Sequence, residues 1–190
     1  MRIVCLGDSL TAGYGVGARR CWVALADAES RHTFLNRGVC GECAADLLAR
    51  FSSDVAFERP DAVLLLGGSN DILLFGAQHT AADSMFALAD RAASAGIAPL
   101  IATPPPLFPR GAPRLWGAEG SPDEACALSA GYAVLLRREA SVRRLPVIDF
   151  FSGFSAALAV PGPALYLDGV HLTDAGNRLM ADILLRGLPL

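Results

Sequence analysis

The sequence contains no lysine. All sixteen basic side chains are arginine and they face nineteen carboxylates, for a net charge of −3. Such a balance creates no basic field to hold a phosphate backbone, so nucleic acid is not an expected partner. Aromatic residues make up only 7% of the chain against 53% apolar residues rich in alanine and leucine, which suits helices covering a sheet better than a β-sandwich. No stretch approaches the roughly 18–20 uninterrupted apolar residues of a membrane span. The opening run Met1-Arg2-Ile3-Val4-Cys5-Leu6 meets Gly7 and Asp8 at once, without the apolar core and cleavage site of a signal peptide, so a soluble, cytoplasmic protein is expected. The five cysteines, at positions 5, 21, 40, 43 and 126, are odd in number and irregularly spaced, which argues against a disulfide framework. Cys40-Gly41-Glu42-Cys43 is a CxxC, but no second pair and no nearby histidine accompany it to complete a zinc site. Neither a metal nor a cofactor is expected. The 190 residues fit one domain, 1–190, with a sizeable core.

Against these absences stands a regular alternation of apolar runs and helical patterns. Strands are expected at residues 2–6, 34–38, 62–66, 97–103 and 145–150, and helices at 19–30, 44–51, 80–95, 122–142, 151–160 and 173–186. The run Ala62 to Leu66 is apolar throughout, as a strand buried on both faces requires. Pro104-Pro105-Pro106 must end the fourth strand because proline supplies no ladder donor. The Pro/Gly-rich stretch that follows, up to residue 122, is longer than an ordinary connection and is expected to be a binding loop. Strands alternating with helices at this spacing imply right-handed crossovers. The expected fold is therefore α/β: a three-layer α/β/α sandwich whose five-stranded parallel sheet has the flavodoxin-like order 2-1-3-4-5.

Three strands end in glycine-bearing loops, and the first delivers Gly7-Asp8-Ser9-Leu10 to the carboxyl edge of the sheet, where α/β proteins bind ligands. Taken alone, Ser9 reads as an N-cap. Just before the last helix stands Asp168-Gly169-Val170-His171, which alone reads as capping plus a surface histidine. Of the three histidines, His32 and His79 lie in polar surroundings at element ends. Nucleophilic hydrolysis needs a base within reach of a hydroxyl and a carboxylate to orient that base. Ser9, His171 and Asp168 are the matching types.

Gly7-Asp8-Ser9-Leu10, Asn36-Arg37-Gly38, Gly67-Gly68-Ser69-Asn70-Asp71 and Asp168-Gly169-Val170-His171 resemble, in order and spacing, the four sequence blocks of the SGNH, or GDSL, hydrolases. The likeness spans nearly the whole chain and is greatest to the small esterase branch that includes thioesterase I, lysophospholipases and arylesterases. It implies that Ser9 attacks an ester or thioester carbonyl, His171 shuttles the proton and Asp168 orients the imidazole. It also implies an oxyanion hole from the backbone N–H groups of Ser9 and Gly38 and the side-chain amide of Asn70. Asp71 and Asp8 are expected to brace their loops. The chain departs from many relatives in carrying Cys40 and Cys43 after the second-block glycine, which could make the site sensitive to oxidation. The Gly-x-Ser-x-Gly elbow of α/β-hydrolases is missing, so that fold is not the source of the triad.

Leu73, Leu74, Phe75, Phe108, Leu115 and Trp116 are candidates for an acyl pocket, with ordinary core packing as the alternative. A small-molecule ester or thioester of a short or medium acyl chain is the expected substrate; an acetylated carbohydrate, or transfer of the acyl group to an alcohol, would use the same triad. A flavodoxin-like phosphate or nucleotide binder is the non-enzyme alternative. It lacks a Gly-x-Gly-x-x-Gly or P-loop and leaves Asp168 and His171 without a task.

Overall fold

A computed structural model of the chain describes residues 1–108 and 121–188. The five strands β1 (Arg2–Gly7), β2 (Thr33–Gly38), β3 (Ala62–Leu66), β4 (Ala98–Thr103) and β5 (Val147–Asp149) pair in parallel in the order β2-β1-β3-β4-β5. This is the expected topology. Alternation along the strands divides the core in two, because successive side chains leave a strand on opposite faces. Ile3, Cys5 and Leu64 point to one face and Val4, Leu6, Val63 and Leu65 to the other, all of them buried. Helices α2 (Trp22–Glu29), α8 (Phe150–Leu158) and α9 (Asp174–Gly187) cover the first face. The second is covered by α3 (Ala44–Ala49), α4 (Phe51–Asp54), α6 (Gln78–Ser94) and α7 (Pro122–Arg143).

Several boundaries differ from expectation for local reasons. The helix expected over 19–30 is a 3₁₀ turn at Ala18–Arg20 followed by α2. The helix expected over 44–51 breaks at Arg50, which closes α3 and opens α4. Strand β5 is only three residues long because Asp149 caps α8, its carboxylate accepting the Ser152 amide at 3.1 Å. Two short helices went unanticipated: α1 (Ser9–Ala12) and α5 (Ser69–Phe75), each starting at a strand-end motif. The segment 109–120, which holds Leu115, Trp116 and most of the expected binding loop, lies outside the described residues.

Trp22 ties the first layer to the turn that carries Ser9. It is fully buried, and its indole N–H donates to the Leu10 carbonyl at 2.8 Å. Trp22→Phe keeps most of the apolar area but strands that carbonyl, an expected loss of about 1–3 kcal/mol. Urea unfolding of the two proteins side by side measures it.

Candidate active site

Ser9 is the first residue of α1, immediately beyond β1. Its turn is fixed from below by Asp8, the N-cap, whose Oδ1 accepts the Leu10 amide at 2.9 Å. Across the carboxyl edge of the sheet, the loop between α8 and α9 forms a small hairpin through an antiparallel bridge from Tyr166 to Leu172. Gly169, at φ 88°, makes the reversal, a conformation that favours a residue without Cβ. Within the hairpin, Asp168 Oδ1 accepts the amides of Val170 at 3.0 Å and His171 at 2.7 Å. The same loop thus orients the carboxylate and delivers the imidazole.

The two ends meet. Asp168 Oδ2 lies 2.8 Å from His171 Nδ1, and His171 Nε2 lies 2.9 Å from Ser9 Oγ. A carboxylate can only accept, so the proton belongs on Nδ1, and Nε2 is left with a lone pair for the serine hydroxyl. Burial would raise the Asp168 carboxyl, but the hydrogen bonds from the His171 ring and from the His171 and Val170 amides outweigh it and hold it below its ordinary value. Asp168 is therefore ionised at neutral pH. Ser9 and His171 are both buried, and the Tyr14 ring lies against the imidazole with centroids 4.3 Å apart.

Two of the expected oxyanion donors, Asn70 and Gly38, stand differently. Asn70 is the second residue of α5, and its Nδ2 donates one hydrogen to the Glu42 carbonyl at 2.7 Å, which leaves its second hydrogen to be used. Gly38 ends β2 opposite Gly7, and its amide hydrogen is donated to Asn36 Oδ1 at 2.9 Å. A Cβ on Gly38 would come within 2.6 Å of the Thr11 carbonyl carbon and 2.7 Å of the Ala12 Cα. Its glycine is thus needed for close packing of β2 against α1. Gly41, three residues on, has φ 85° and open space where a Cβ would stand. In the sequence Gly41 is only the interior of a CxxC; its left-handed conformation is a property of the folded loop.

Asp71 braces as expected, its Oδ2 accepting the Ala44 amide at the start of α3 at 2.9 Å. Cys40 is exposed and Cys43 half-buried, both as free thiols. Burial, reinforced by the charges of Asp71, Asp46 and Asp8, pushes the Cys43 thiol up to about 11, so it is protonated at neutral pH and a poor nucleophile. Among the described residues no cluster of His, Cys, Asp or Glu could hold a metal ion, and no helix is long and apolar enough to cross a membrane.

The expected pocket residues separate. Leu73 is buried in a small cluster with Leu107, Ala125 and Val170, so it is core and not an open wall. Leu74 and Phe75 are exposed at the end of α5. Phe108 lines a cleft of about 370 Å³ together with Leu158, Tyr166 and Asp168, its ring stacked on Tyr166 with centroids 5.6 Å apart. The cleft therefore adjoins Asp168.

Fold and site together define an α/β/α protein that presents a serine–imidazole–carboxylate relay at the strand ends. The model of the GDSL-like Lipase/Acylhydrolase family matches residues 5–179, and the chain belongs to that family. Esterase TesA of Pseudomonas aeruginosa is 30% identical over 116 residues, which are 57% of this chain and 58% of that esterase, so the match spans little more than half of its length. Among solved structures, a lipolytic protein of the G-D-S-L family from Veillonella parvula superposes with a TM-score of 0.84 at 24% identity, covering 98% of this chain and 97% of that one. The acetylxylan esterase Axe2 of Geobacillus stearothermophilus, as a catalytic mutant, gives 0.80 at 20% identity, covering 100% and 94%. Both structural likenesses concern the fold.

Proposed function

We propose that the protein is a serine ester hydrolase that cleaves carboxylic esters or thioesters of small acyl groups through an acyl-enzyme on Ser9. The carrying observation is the continuous relay from Ser9 Oγ through His171 to Asp168, at 2.9 and 2.8 Å. His171 Nε2 takes the serine proton as Oγ bonds to the carbonyl carbon, and gives it to the leaving alcohol or thiol as the tetrahedral intermediate collapses. Water then repeats the sequence and regenerates Ser9. Asp168 stays ionised and holds the imidazolium that forms between the two transfers.

For the oxyanion we assign the backbone N–H of Ser9, the N–H of Gly41 and the free hydrogen of Asn70 Nδ2. Gly41 replaces Gly38 because the Gly38 amide is already donated to Asn36, whereas Gly41 adjoins Glu42, whose carbonyl holds Asn70. Preorganised donors of this kind cost nothing to reorient when charge develops.

The likeness to an acetylxylan esterase fold supports a second reading, O-deacetylation of a carbohydrate by the same residues. Five free thiols suit a reducing compartment, and we place the enzyme in the cytoplasm. Hydrolysis of p-nitrophenyl esters from acetyl to decanoyl, beside acetylated xylo-oligosaccharide and an acyl-CoA, separates the substrate classes. Labelling by a fluorophosphonate should add its mass to the peptide containing Ser9. A folded protein that neither hydrolyses any of these nor takes the label would overturn the hydrolase reading.

A further inference from the structure

We infer that Arg50 is a positioning residue for the oxyanion loop, clamping it to the strand end that carries Ser9. The inference rests on the assignment of Ser9, Gly41 and Asn70 given above. Arg50 stands where α3 meets α4, and its side chain is only 14% exposed. Its guanidinium addresses three separate chain segments: Nε donates to Glu42 Oε2 at 2.5 Å, Nη1 to Asp54 Oδ2 at 2.6 Å, and Nη2 to the Gly7 carbonyl at 2.8 Å. Gly7 is the last residue of β1, two before Ser9. Its carbonyl accepts a second hydrogen bond, from the Val39 amide at 3.0 Å.

The loop from Val39 to Glu42 is thus tied to one oxygen at both ends. Val39 reaches the Gly7 carbonyl directly, and Glu42 reaches it through Arg50. Gly41 lies between the two ties, and the Glu42 main chain in turn holds Asn70. All three proposed oxyanion donors are therefore referred to the same strand end by bonds that pass through Gly7, Arg50 and Glu42. Only a planar fork can do this. An ammonium is a point charge and cannot satisfy two carboxylates and a carbonyl in fixed directions at once. Bonds of this kind act on rate, because a small misplacement of catalytic groups costs far more in the transition state than in substrate binding.

The test is steady-state hydrolysis of the ester found to be the best substrate, with rates expressed per folded protein and Tm recorded for each variant. Arg50→Ala is expected to lower kcat by about 10- to 100-fold while KM stays within about twofold. Arg50→Lys should recover little of it. Glu42→Gln, which keeps volume and backbone, should lower kcat in the same sense by a smaller factor, and it carries the test should Arg50→Ala fail to fold. Asp54→Asn removes a partner of the same guanidinium without touching the loop, so it should lower Tm and leave kcat within about twofold. Combining Arg50→Ala with Asn70→Ala should cost little more than Asn70→Ala alone, since both act on one unit. Wild-type kcat in folded Arg50→Ala and Glu42→Gln, or an equal loss of kcat in Asp54→Asn, would overturn the role of Arg50. Full activity in Ser9→Ala would instead overturn the functional reading beneath it.

Discussion

Ser9→Ala is expected to lower kcat on an activated ester by about 10⁴- to 10⁶-fold, leaving the fold intact. The hydroxyl contributes one hydrogen bond to His171, and the turn around it is held by other groups: the Asp8 carboxylate on the Leu10 amide, and the Trp22 indole on the Leu10 carbonyl. Removing one oxygen therefore removes the proposed nucleophile with almost no structural cost. His171→Ala should cost a similar factor, and the double variant no more than either single one, because the two residues act as a unit. Asp168→Asn is a sharper probe. The amide can donate as well as accept, so it permits the wrong imidazole tautomer while filling the same space, and a loss of about 10⁴-fold is expected. Circular dichroism and Tm near wild type, with losses of kcat of this size, would bear the relay out. Substantial turnover by Ser9→Ala would show that another group performs the chemistry.

The largest expected effect on stability lies one residue away. Asp8 is 1% exposed, and its Oδ2 has no hydrogen-bond partner among the described residues. Burial is the chief reason that its carboxyl is raised from 3.8 to about 7, with the neighbouring charge of Asp71 adding to it against the Leu10 amide. In the unfolded chain the same group titrates near 4. Between these values the native state keeps a proton that the unfolded state has released, so stability falls as pH rises from about 4 to about 7. At about 1.4 kcal/mol per pH unit the full displacement is worth about 4 kcal/mol. Asp8→Asn keeps an oxygen for the Leu10 amide and carries no charge. It is expected to match wild type near pH 4 and to be more stable by up to about 4 kcal/mol at pH 8. Denaturant unfolding across this range decides the matter: stability curves that run parallel for the two proteins would show that Asp8 is not held protonated. The Asp168 carboxyl, displaced downward, has the opposite sign. Its contribution is present above the unfolded value near 4 and is lost as pH falls through its lower native value.

A buried carboxyl with one oxygen unpartnered, next to Ser9, is a local conflict of the kind that active sites tolerate. It is invisible in the sequence, where Asp8 reads only as a residue that braces its loop. The same holds for Arg50, whose partners at Gly7 and Glu42 are 43 and 8 residues away in the chain. Helices α1 and α5 escaped notice because each is short and begins inside a motif chosen for chemistry, so neither shows an amphipathic period.

What the sequence determined by itself is the sheet and the identity of the relay. Alternating apolar runs and helical stretches leave few ways to bury two faces of a parallel sheet, and a strand ending in Gly7-Asp8-Ser9 delivers its hydroxyl to the carboxyl edge in any of them. Asp168 and His171 alone read as a cap and a surface histidine; they were legible only through the resemblance of four linked blocks, and the structure brings both to Ser9. Tertiary structure alone set the two glycines of the second block apart. Gly38 and Gly41 are three residues apart in one block, and nothing local distinguishes them. Their difference arises because β2 packs against α1, which makes Gly38 a close-contact residue with its amide given to Asn36, while Gly41 stands at φ 85° with open space beside it, in a loop whose Val39 amide bonds the Gly7 carbonyl. It also separated Leu73, which the packing of α5 turns into the core, from Phe108, which it leaves on a cleft beside Asp168. Periodicity records which residues are apolar, whereas burial depends on which segments close over them, and those segments are far apart in the chain.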